Sequence, residues 1–156
     1  MLHQERHLEL EARPEDIWAI LSRFMHIDDF APQVVSVDAL TVGTDGIGSK
    51  RRCHFANGTS LVEEVTDWQV NRGYTVRLSH MAMPLHEAQA AIAITPLSTS
   101  RSRVTWSMDF GMKYGPIGWL MGQTLLKVMI GRVLADNLSA LAAKVRPDPD
   151  AQTQTA

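Results

Sequence analysis

Gly46–Gly111 contains successive stretches in which apolar and polar residues alternate, and Gly115–Val145 follows with apolar residues at helical spacing. Alternation with a period of two predicts strands with one buried and one solvated face, arranged as an antiparallel meander. A single long helix after such a sheet can cover its apolar face. The pattern therefore predicts an α+β fold in which a curved antiparallel sheet wraps around the C-terminal helix and encloses a cavity.

Before the meander, the sequence predicts one strand and two short helices. Gln4–Ala12 alternates leucine with glutamate over its second half, as expected for a strand with one buried face. Pro14 marks the first turn of the following helix, where the amide that proline lacks has no helical partner in any case. A second helical turn is expected over Met25–Phe30, ending before Pro32, and Val34–Leu40 is expected to be the next strand.

The first hairpin of the meander, around residues 57–58, has two possible registers. A two-residue turn would place Leu61 opposite His54, whereas a three-residue loop with a left-handed last residue pairs Arg51 with Glu63. The second register is favoured because it collects one apolar face. The members of that face are Cys53, Phe55, Leu61 and Val65. In this register Arg51 and Glu63 face each other on the inner side of the sheet.

The strands that follow predict the lining of the space between sheet and helix. Their inward residues are Tyr74, Val76, Leu78 and His80, then His86, Ala88, Ala90, Ile92 and Ile94, then Val104, Trp106, Met108 and Phe110. Ala88 and Ala90 are small beside their neighbours, which leaves unfilled volume in the middle of a curved sheet. This favours a cavity over a fully packed core.

The spacing of apolar residues in the terminal helix predicts that this helix forms the opposite wall of the cavity. Its apolar stripe consists of Trp119, Leu126, Ile130, Val133, Leu134, Leu138 and Leu141. Gln123 and Lys127 project inside or beside this stripe. Burying them without partners is costly, so they are expected at a cavity mouth or in hydrogen bonds within it.

Composition limits the classes of partner. The net charge is −2, and the one short basic run, Lys50–Arg52, is divided between the two faces of a strand. These features give no electrostatic indication of a nucleic-acid or anionic-membrane partner. The single cysteine, Cys53, excludes an intrachain disulfide and a thiolate metal site, so a cytoplasmic location is expected.

The length of 156 residues predicts one domain. Residues 1–145 are expected to form a single ligand-binding domain, and residues 146–156, which contain no large apolar side chain, are expected to be disordered. No integral membrane segment is predicted, because polar residues interrupt the apolar stretch around Leu120. The oligomeric state is not predicted.

Several stretches, in this order, resemble the START-like (SRPBCC) helix-grip superfamily, in particular its polyketide cyclase/dehydrase and lipid-transport branch. They are Ala12–Leu21, Phe30–Pro32, Gly46–Arg51, Leu61–Trp68, and Thr95–Leu97 leading to Arg103–Trp106. The resemblance covers roughly residues 4–145. It implies a sheet of six or seven strands, two short helices after the first strand, and a long C-terminal helix over a hydrophobic tunnel. Phe30 stands where the family usually has tryptophan, which keeps an aromatic at the tunnel entrance but loses a hydrogen-bond donor.

Arg51, Glu63 and His80 are the candidate catalytic residues. Facing a cavity, Arg51 can donate to developing enolate charge and Glu63 can accept a proton. The alternative is a structural ion pair across two strands, which family members often carry whatever their ligand. His80 and His86 flank one turn and can shuttle a proton near neutral pH, or can simply be solvated rim residues. A third ligand is lacking, so no metal is predicted.

The residues expected to contact the ligand are Trp18, Phe30, Phe55, Tyr74, Leu78, His86, Ala90, Trp106, Met108, Gln123, Lys127 and Ile130. Each aromatic among them can instead be an ordinary core residue. The first hypothesis is a protein that binds an apolar, aromatic or polyketide-like small molecule and cyclises or dehydrates it by general acid–base chemistry, without a cofactor. The alternatives are a non-catalytic carrier of lipid, quinone or terpenoid, and a regulatory or assembly subunit with a vestigial cavity. An enzyme should place two titratable groups within reach of one ligand, whereas a carrier needs only an apolar lining.

Overall fold

The computed structural model describes residues 1–121 and 125–145; Gln123 and the tail 146–156 lie outside the described residues. Seven strands and two short helical elements precede the C-terminal helices. The strands are β1 (Leu2–Leu10), β2 (Val34–Ala39), β3 (Lys50–Phe55), β4 (Ser60–Gln69), β5 (Gly73–Ser79), β6 (Leu85–Pro96) and β7 (Ser102–Met112). The helices are α1 (Pro14–Leu21), a 3-10 helix (Phe24–Asp29), α2 (Gly115–Met121) and α3 (Lys127–Val145).

The strands form one antiparallel sheet in the order β1-β7-β6-β5-β4-β3-β2. The first strand therefore pairs with the last, and α1 and the 3-10 helix connect the two edges of the sheet. The sheet is curved, and α3 packs mainly on β1. This arrangement confirms the predicted α+β helix-grip fold with two short helices after the first strand.

The hairpin between β3 and β4 has the predicted three-residue loop. The amide of Phe55 donates to the carbonyl of Thr59 at 2.9 Å, and Gly58 has a left-handed φ of 87°. Left-handed backbone is accessible to glycine at little cost, so this residue type permits the loop. Arg51 is paired with Glu63 across the two strands, as predicted.

Helix α3 approaches β1 closely at Gly131. A Cβ atom at that position would lie 2.5 Å from Nε2 of Gln4 and 2.6 Å from Nη2 of Arg6, so those two side-chain ends would have to move to admit a larger residue. The Nε2 of Gln4 also donates to the carbonyl of Lys127 at 3.1 Å. These contacts hold the start of α3 over the edge of the sheet.

The buried stripe of the C-terminal helices is narrower than predicted. The buried residues of α3 are Ile130, Gly131, Leu134, Leu138, Leu141 and Ala142. Trp119 and Val133 were predicted in the stripe, but they are exposed at 53% and 37%. Trp119 lies on α2, which ends at Met121, and Leu125 and Leu126 just before α3 are π-helical rather than α-helical. In the described ranges, none of the helices combines the length and apolar character needed to cross a membrane.

Candidate functional site

Arg51 is a fully engaged buried cation on the inner face of the sheet. Its residue exposure is 1%, and its Nε donates to Oε2 of Glu63 at 3.1 Å. Its Nη2 donates to the same oxygen, and its Nη1 donates to the backbone carbonyl of Phe24. The guanidinium carbon also lies 3.8 Å from the centre of the Phe24 ring. Because every nitrogen has a partner, Arg51 is fixed in one position.

The electrostatics of the site keep Arg51 charged and keep Tyr74 and Cys53 protonated. Burial opposes the charge on Arg51, but Glu63, Tyr74 and Cys53 outweigh it and raise the pKa of Arg51 above its usual value. Burial is also the main cause that raises the pKa of Tyr74, and it raises the pKa of Cys53 to about 12. At neutral pH, Tyr74 is therefore a protonated phenol and Cys53 a thiol.

Glu63 lines a cavity and has one carboxylate oxygen that Arg51 does not contact. Both side-chain bonds from Arg51 go to Oε2; within the described part of the chain, no hydrogen bond reaches Oε1. The cavity is lined by Arg51, Glu63, Tyr74, Val76, Ala90, Ile92 and Trp106. The space open to the centre of a water molecule is about 20 Å³, enough for one water. The lining thus combines polar and apolar side chains.

Aromatic rings fix the position of Tyr74. The ring of Trp68 stacks on Tyr74 with 5.6 Å between centres, and Phe24 meets Tyr74 edge to face, also at 5.6 Å. Trp18, on α1, lies edge-on to Trp68 at 4.9 Å. Trp18 thus contacts the residue that supports Tyr74 and does not line the cavity. Phe30 meets the cavity residue Trp106 edge to face at 6.4 Å.

Five predicted site residues line the cavity: Arg51, Glu63, Tyr74, Ala90 and Trp106. Phe55, Leu78, Met108 and Ile130 belong to the surrounding core without lining it, and Lys127 is half-buried at the start of α3. Their contact with a ligand stays a prediction. Val76 and Ile92 line the cavity but were not among the predicted site residues. Val76 and Ile92 alternate with outward-facing residues along their strands, and this sequence pattern could have identified them as cavity residues.

The predicted positions of His80 and His86 on the inner face were wrong. His80 follows the end of β5, is exposed, and has a left-handed φ of 53°. His86 is exposed because a register shift between Leu85 and Glu87 inserts an extra residue, and Leu85 takes the buried position instead. Neither histidine lines the cavity. A proton-shuttle role for either one stays a prediction.

A second space lies at the end of the sheet near α3. It is a pocket of about 130 Å³ lined by Pro84, Met112, Leu125, Leu126 and Met129, all apolar residues. The two spaces share no lining residue.

Two side chains on β7 separate the pocket from the cavity. Met112 lines the pocket and Trp106 lines the cavity, so the spaces are separated by about 20 Å of strand at about 3.3 Å per residue. Met108 and Phe110 lie between them on the same face of β7, and both are buried. The described residues therefore form two spaces rather than one open tunnel.

One group of side chains in the described ranges has the spacing of metal ligands. Potential ligand atoms of His26, Asp28 and Asp29 lie within 4.8 Å of one another on the 3-10 helix. All three residues are exposed, and none lines the cavity. The group is outside the site formed by Arg51 and Glu63.

Three solved structures illustrate the similarity of the fold. The Zhui aromatase/cyclase from Streptomyces sp. R1128 is 16% identical, with a TM-score of 0.78 over 92% of this chain and 93% of that one. A START superfamily protein from Mycobacterium smegmatis is 20% identical, with a TM-score of 0.74 over 92% of this chain and 96% of that one. Norcoclaurine synthase from Thalictrum flavum, in complex with dopamine and hydroxybenzaldehyde, is 17% identical, with a TM-score of 0.70 over 94% and 89%.

At these identities, the similarity concerns the fold alone. No match was found among curated protein sequences. Residues 1–146 match the family described as Polyketide cyclase / dehydrase and lipid transport, and because the match spans nearly the whole chain, the protein belongs to that family.

Proposed function

We propose that the protein binds an apolar, aromatic or polyketide-like carbonyl compound between the sheet and α3, and cyclises and dehydrates it by acid–base chemistry. One observation carries the proposal: Oε1 of Glu63 has no hydrogen-bond partner among the described residues, and Glu63 lines the same cavity as Tyr74. A base and an acid thus border one space, which is the arrangement expected of an enzyme of this kind.

The proposed reaction assigns one role to each of three residues. The protonated hydroxyl of Tyr74 donates a hydrogen bond to a carbonyl oxygen of the substrate, and Oε1 of Glu63 accepts a proton from the adjacent carbon. The resulting enolate carbon attacks a second carbonyl in the same molecule and forms the new carbon–carbon bond. Arg51 acts as a positioning residue, because its donors are occupied by Glu63 and Phe24.

Dehydration completes the proton balance. The second carbonyl oxygen takes up the proton that Glu63 removed and becomes a hydroxyl. Glu63 then removes a second proton from the carbon that made the attack, which is adjacent to the carbon bearing the new hydroxyl. Glu63 returns this proton to the hydroxyl, which leaves as water. The two protons taken by Glu63 both end on that oxygen, so the reaction needs no cofactor and the enzyme ends in its starting state.

Ligand entry requires movement, because the cavity holds about one water molecule. Met108 and Phe110 separate the cavity from the apolar pocket, so their displacement is the shortest route to a larger space. The flexible thioether of Met108 suits such a change. Binding is therefore expected to reorganise the inner face of β7.

The similar structures lend support at the level of the fold. One is named an aromatase/cyclase, and another was determined with two aromatic compounds, dopamine and hydroxybenzaldehyde. Those activities and ligands belong to those proteins. They make aromatic compounds and polyketides the first chemical classes to screen here.

The test compares Glu63→Gln with Glu64→Gln. Glu64 is the next residue on β4, is half-buried, and pairs with Lys50 at 3.8 Å on the other face of the sheet, so it is a matched control. Compounds that raise the melting temperature of the wild-type protein are incubated with each variant, and loss of one water is followed by mass spectrometry.

We expect Glu63→Gln to bind such a compound but to lose turnover by at least about a hundredfold, since general-base catalysis typically contributes that much. Glu64→Gln should behave as wild type. Equal turnover in the wild-type protein and Glu63→Gln would exclude Glu63 as the base.

A carrier of lipid, quinone or terpenoid is the second candidate. Val76, Ala90, Ile92 and Trp106 give the cavity an apolar wall, which suffices for binding without reaction. A stabilising compound that the wild-type protein never converts would favour this function. If no compound stabilises the protein, a vestigial cavity in a regulatory subunit becomes the better hypothesis.

A further inference from the structure

Helix α2, the start of α3 and the residues directly before each helix carry exposed apolar side chains that the core does not use. We call it the docking face; it consists of Tyr114, Ile117, Trp119, Leu125, Val128 and Met129. Ile117 and Leu125 are 73% and 74% exposed, far more than large apolar residues that belong to a core. The apolar pocket lies in this face, since Leu125 and Met129 line it.

The position of α2 is set by a close contact at Gly118. A Cβ atom there would lie 1.8 Å from the carbonyl oxygen of Lys113, so only glycine lets the helix sit this close to the end of β7. Gly118 is buried, whereas Ile117 and Trp119 on either side of it are exposed. The apolar side chains are therefore held outward by the packing of the helix.

The charge around the docking face is mainly positive. Residues 110–135 contain Lys113, Lys127 and Arg132 and no acidic residue, and the exposed Asp136 follows one helical turn after Arg132. The acidic residues on the adjoining strands are Glu87 and Asp109, which alternate with the inward residues Ala88 and Phe110 and so take the outer face. The net charge of −2 for the whole chain conceals this local excess of cations.

We propose that the docking face binds the surface of a bilayer that contains anionic lipid. Exposed aliphatic residues insert at the boundary of headgroups and acyl chains, while lysine and arginine meet anionic headgroups. Tyrosine and tryptophan are the aromatic residues that prefer this boundary, and Tyr114 and Trp119 are both more than half exposed. In this orientation the apolar pocket of Leu125 and Met129 opens toward the lipid.

The inference does not depend on the proposed reaction, because it is tested without a small-molecule ligand. The experiment is flotation of the purified protein with vesicles of phosphatidylcholine, with and without phosphatidylglycerol, at low and high salt. We expect binding only to vesicles that contain phosphatidylglycerol, and weaker binding at high salt because surface charge is screened.

Two matched pairs of variants locate the contact. Ile117→Ser should abolish vesicle binding, whereas Ile47→Ser should not, although Ile47 is 71% exposed in the loop before β3. Lys113→Gln should weaken binding about fivefold, the typical contribution of one cation near an anionic surface. Lys144→Gln, at the far end of α3, should leave binding unchanged.

Fluorescence gives a direct measure of insertion. Brominated lipid should quench tryptophan emission in the wild-type protein but not in Trp119→Phe, since Trp18 and Trp106 are buried and Trp68 is half-buried and stacked on Tyr74. Absence of binding to phosphatidylglycerol vesicles would overturn the proposal, as would equal losses in Ile117→Ser and Ile47→Ser. A dimer in sedimentation analysis that Ile117→Ser dissociates, without vesicle binding, would assign the face to a second copy of the chain instead.

Discussion

Arg51 and Glu63 lie opposite each other on β3 and β4, with Nε of Arg51 3.1 Å from Oε2 of Glu63, and the side chains are only 2% and 15% exposed. The adjacent pair on the same two strands, Lys50 and Glu64, is 3.8 Å apart and 45% and 36% exposed. The sheet thus carries a buried and a solvated ion pair side by side, on opposite faces. Comparing the two pairs therefore separates the effect of burial on stability from the effect of ion pairing.

Truncating the side chain of Glu63, which removes every partner it offers Arg51, should be costly for folding. Glu63→Ala leaves the charge of Arg51 buried without its partner, which is expected to lower the free energy of unfolding by about 3 to 5 kcal/mol. Glu64→Ala removes a screened surface pair and should cost less than about 1 kcal/mol beyond the effect of the shorter side chain. Urea denaturation of both variants measures the difference in the free energy of unfolding. Equal costs would show that water solvates the guanidinium of Arg51 once Glu63 is truncated.

Filling the cavity at Ala90 should strain the sheet. The space beside Ala90 accommodates about one water molecule, so the ring of Ala90→Phe must displace neighbours such as Val76 or Trp106. Overpacking of this kind typically costs about 1 to 3 kcal/mol. Ala90→Val adds less volume and should cost less.

Thermal denaturation of the two Ala90 variants distinguishes a packed interior from a yielding one. If Ala90→Phe melts at the wild-type temperature, the inner face opens easily, and the closed cavity is only one of its arrangements. In both variants the compounds that stabilise the wild-type protein should lose their effect, because the added side chain occupies the space near Glu63.

Local signals made most of the fold predictable. The period-two alternation specified the strands, and a glycine at position 58 supported the three-residue loop that places Arg51 opposite Glu63. Each of these features depends on neighbouring residues in the chain. The inner-face position of Ala90 followed in the same way, and it does line the cavity.

Other features depend on contacts that no local pattern records. The extra residue at His86 shifts the first position of β6, which places Leu85 on the buried face and leaves His86 exposed. The contact of Arg51 with Phe24 joins residues 27 positions apart in the chain, so periodicity could not indicate it.

The β3–β4 loop provides a test of the register itself. Gly58→Ala should destabilise the protein by about 1 to 2 kcal/mol, because φ is 87° there and L residues avoid left-handed backbone. No atom lies within 4 Å of the added Cβ, so the cost comes from the backbone alone. Gly43→Ala is the control: its φ lies outside the left-handed region, and its Cβ would meet only Ser49 at an ordinary 3.8 Å. A neutral Gly58→Ala, measured by urea denaturation, would contradict the loop conformation.

Alkaline pH should unfold the protein through Cys53 and Tyr74. Burial raises the pKa of Cys53 from an ordinary 9.0 to about 12, and it also raises that of Tyr74. Below about pH 9 the thiol is protonated in both the folded and the unfolded chain, so its full contribution to stability is present. Above that pH the unfolded chain loses its proton first, and the free energy of unfolding falls until about pH 12.

Cys53→Ala should flatten this decline, because alanine has no proton to lose. Tyr74→Phe should flatten it at the more alkaline end, since the ordinary pKa of tyrosine is 10.0. Urea denaturation at a series of pH values from 8 upward measures how steeply the free energy of unfolding of each variant falls with pH. A loss of packing that is the same at every pH does not change this slope. An unchanged slope in Cys53→Ala would mean that the thiol is already solvated in the folded protein, which contradicts its 1% exposure beside Arg51.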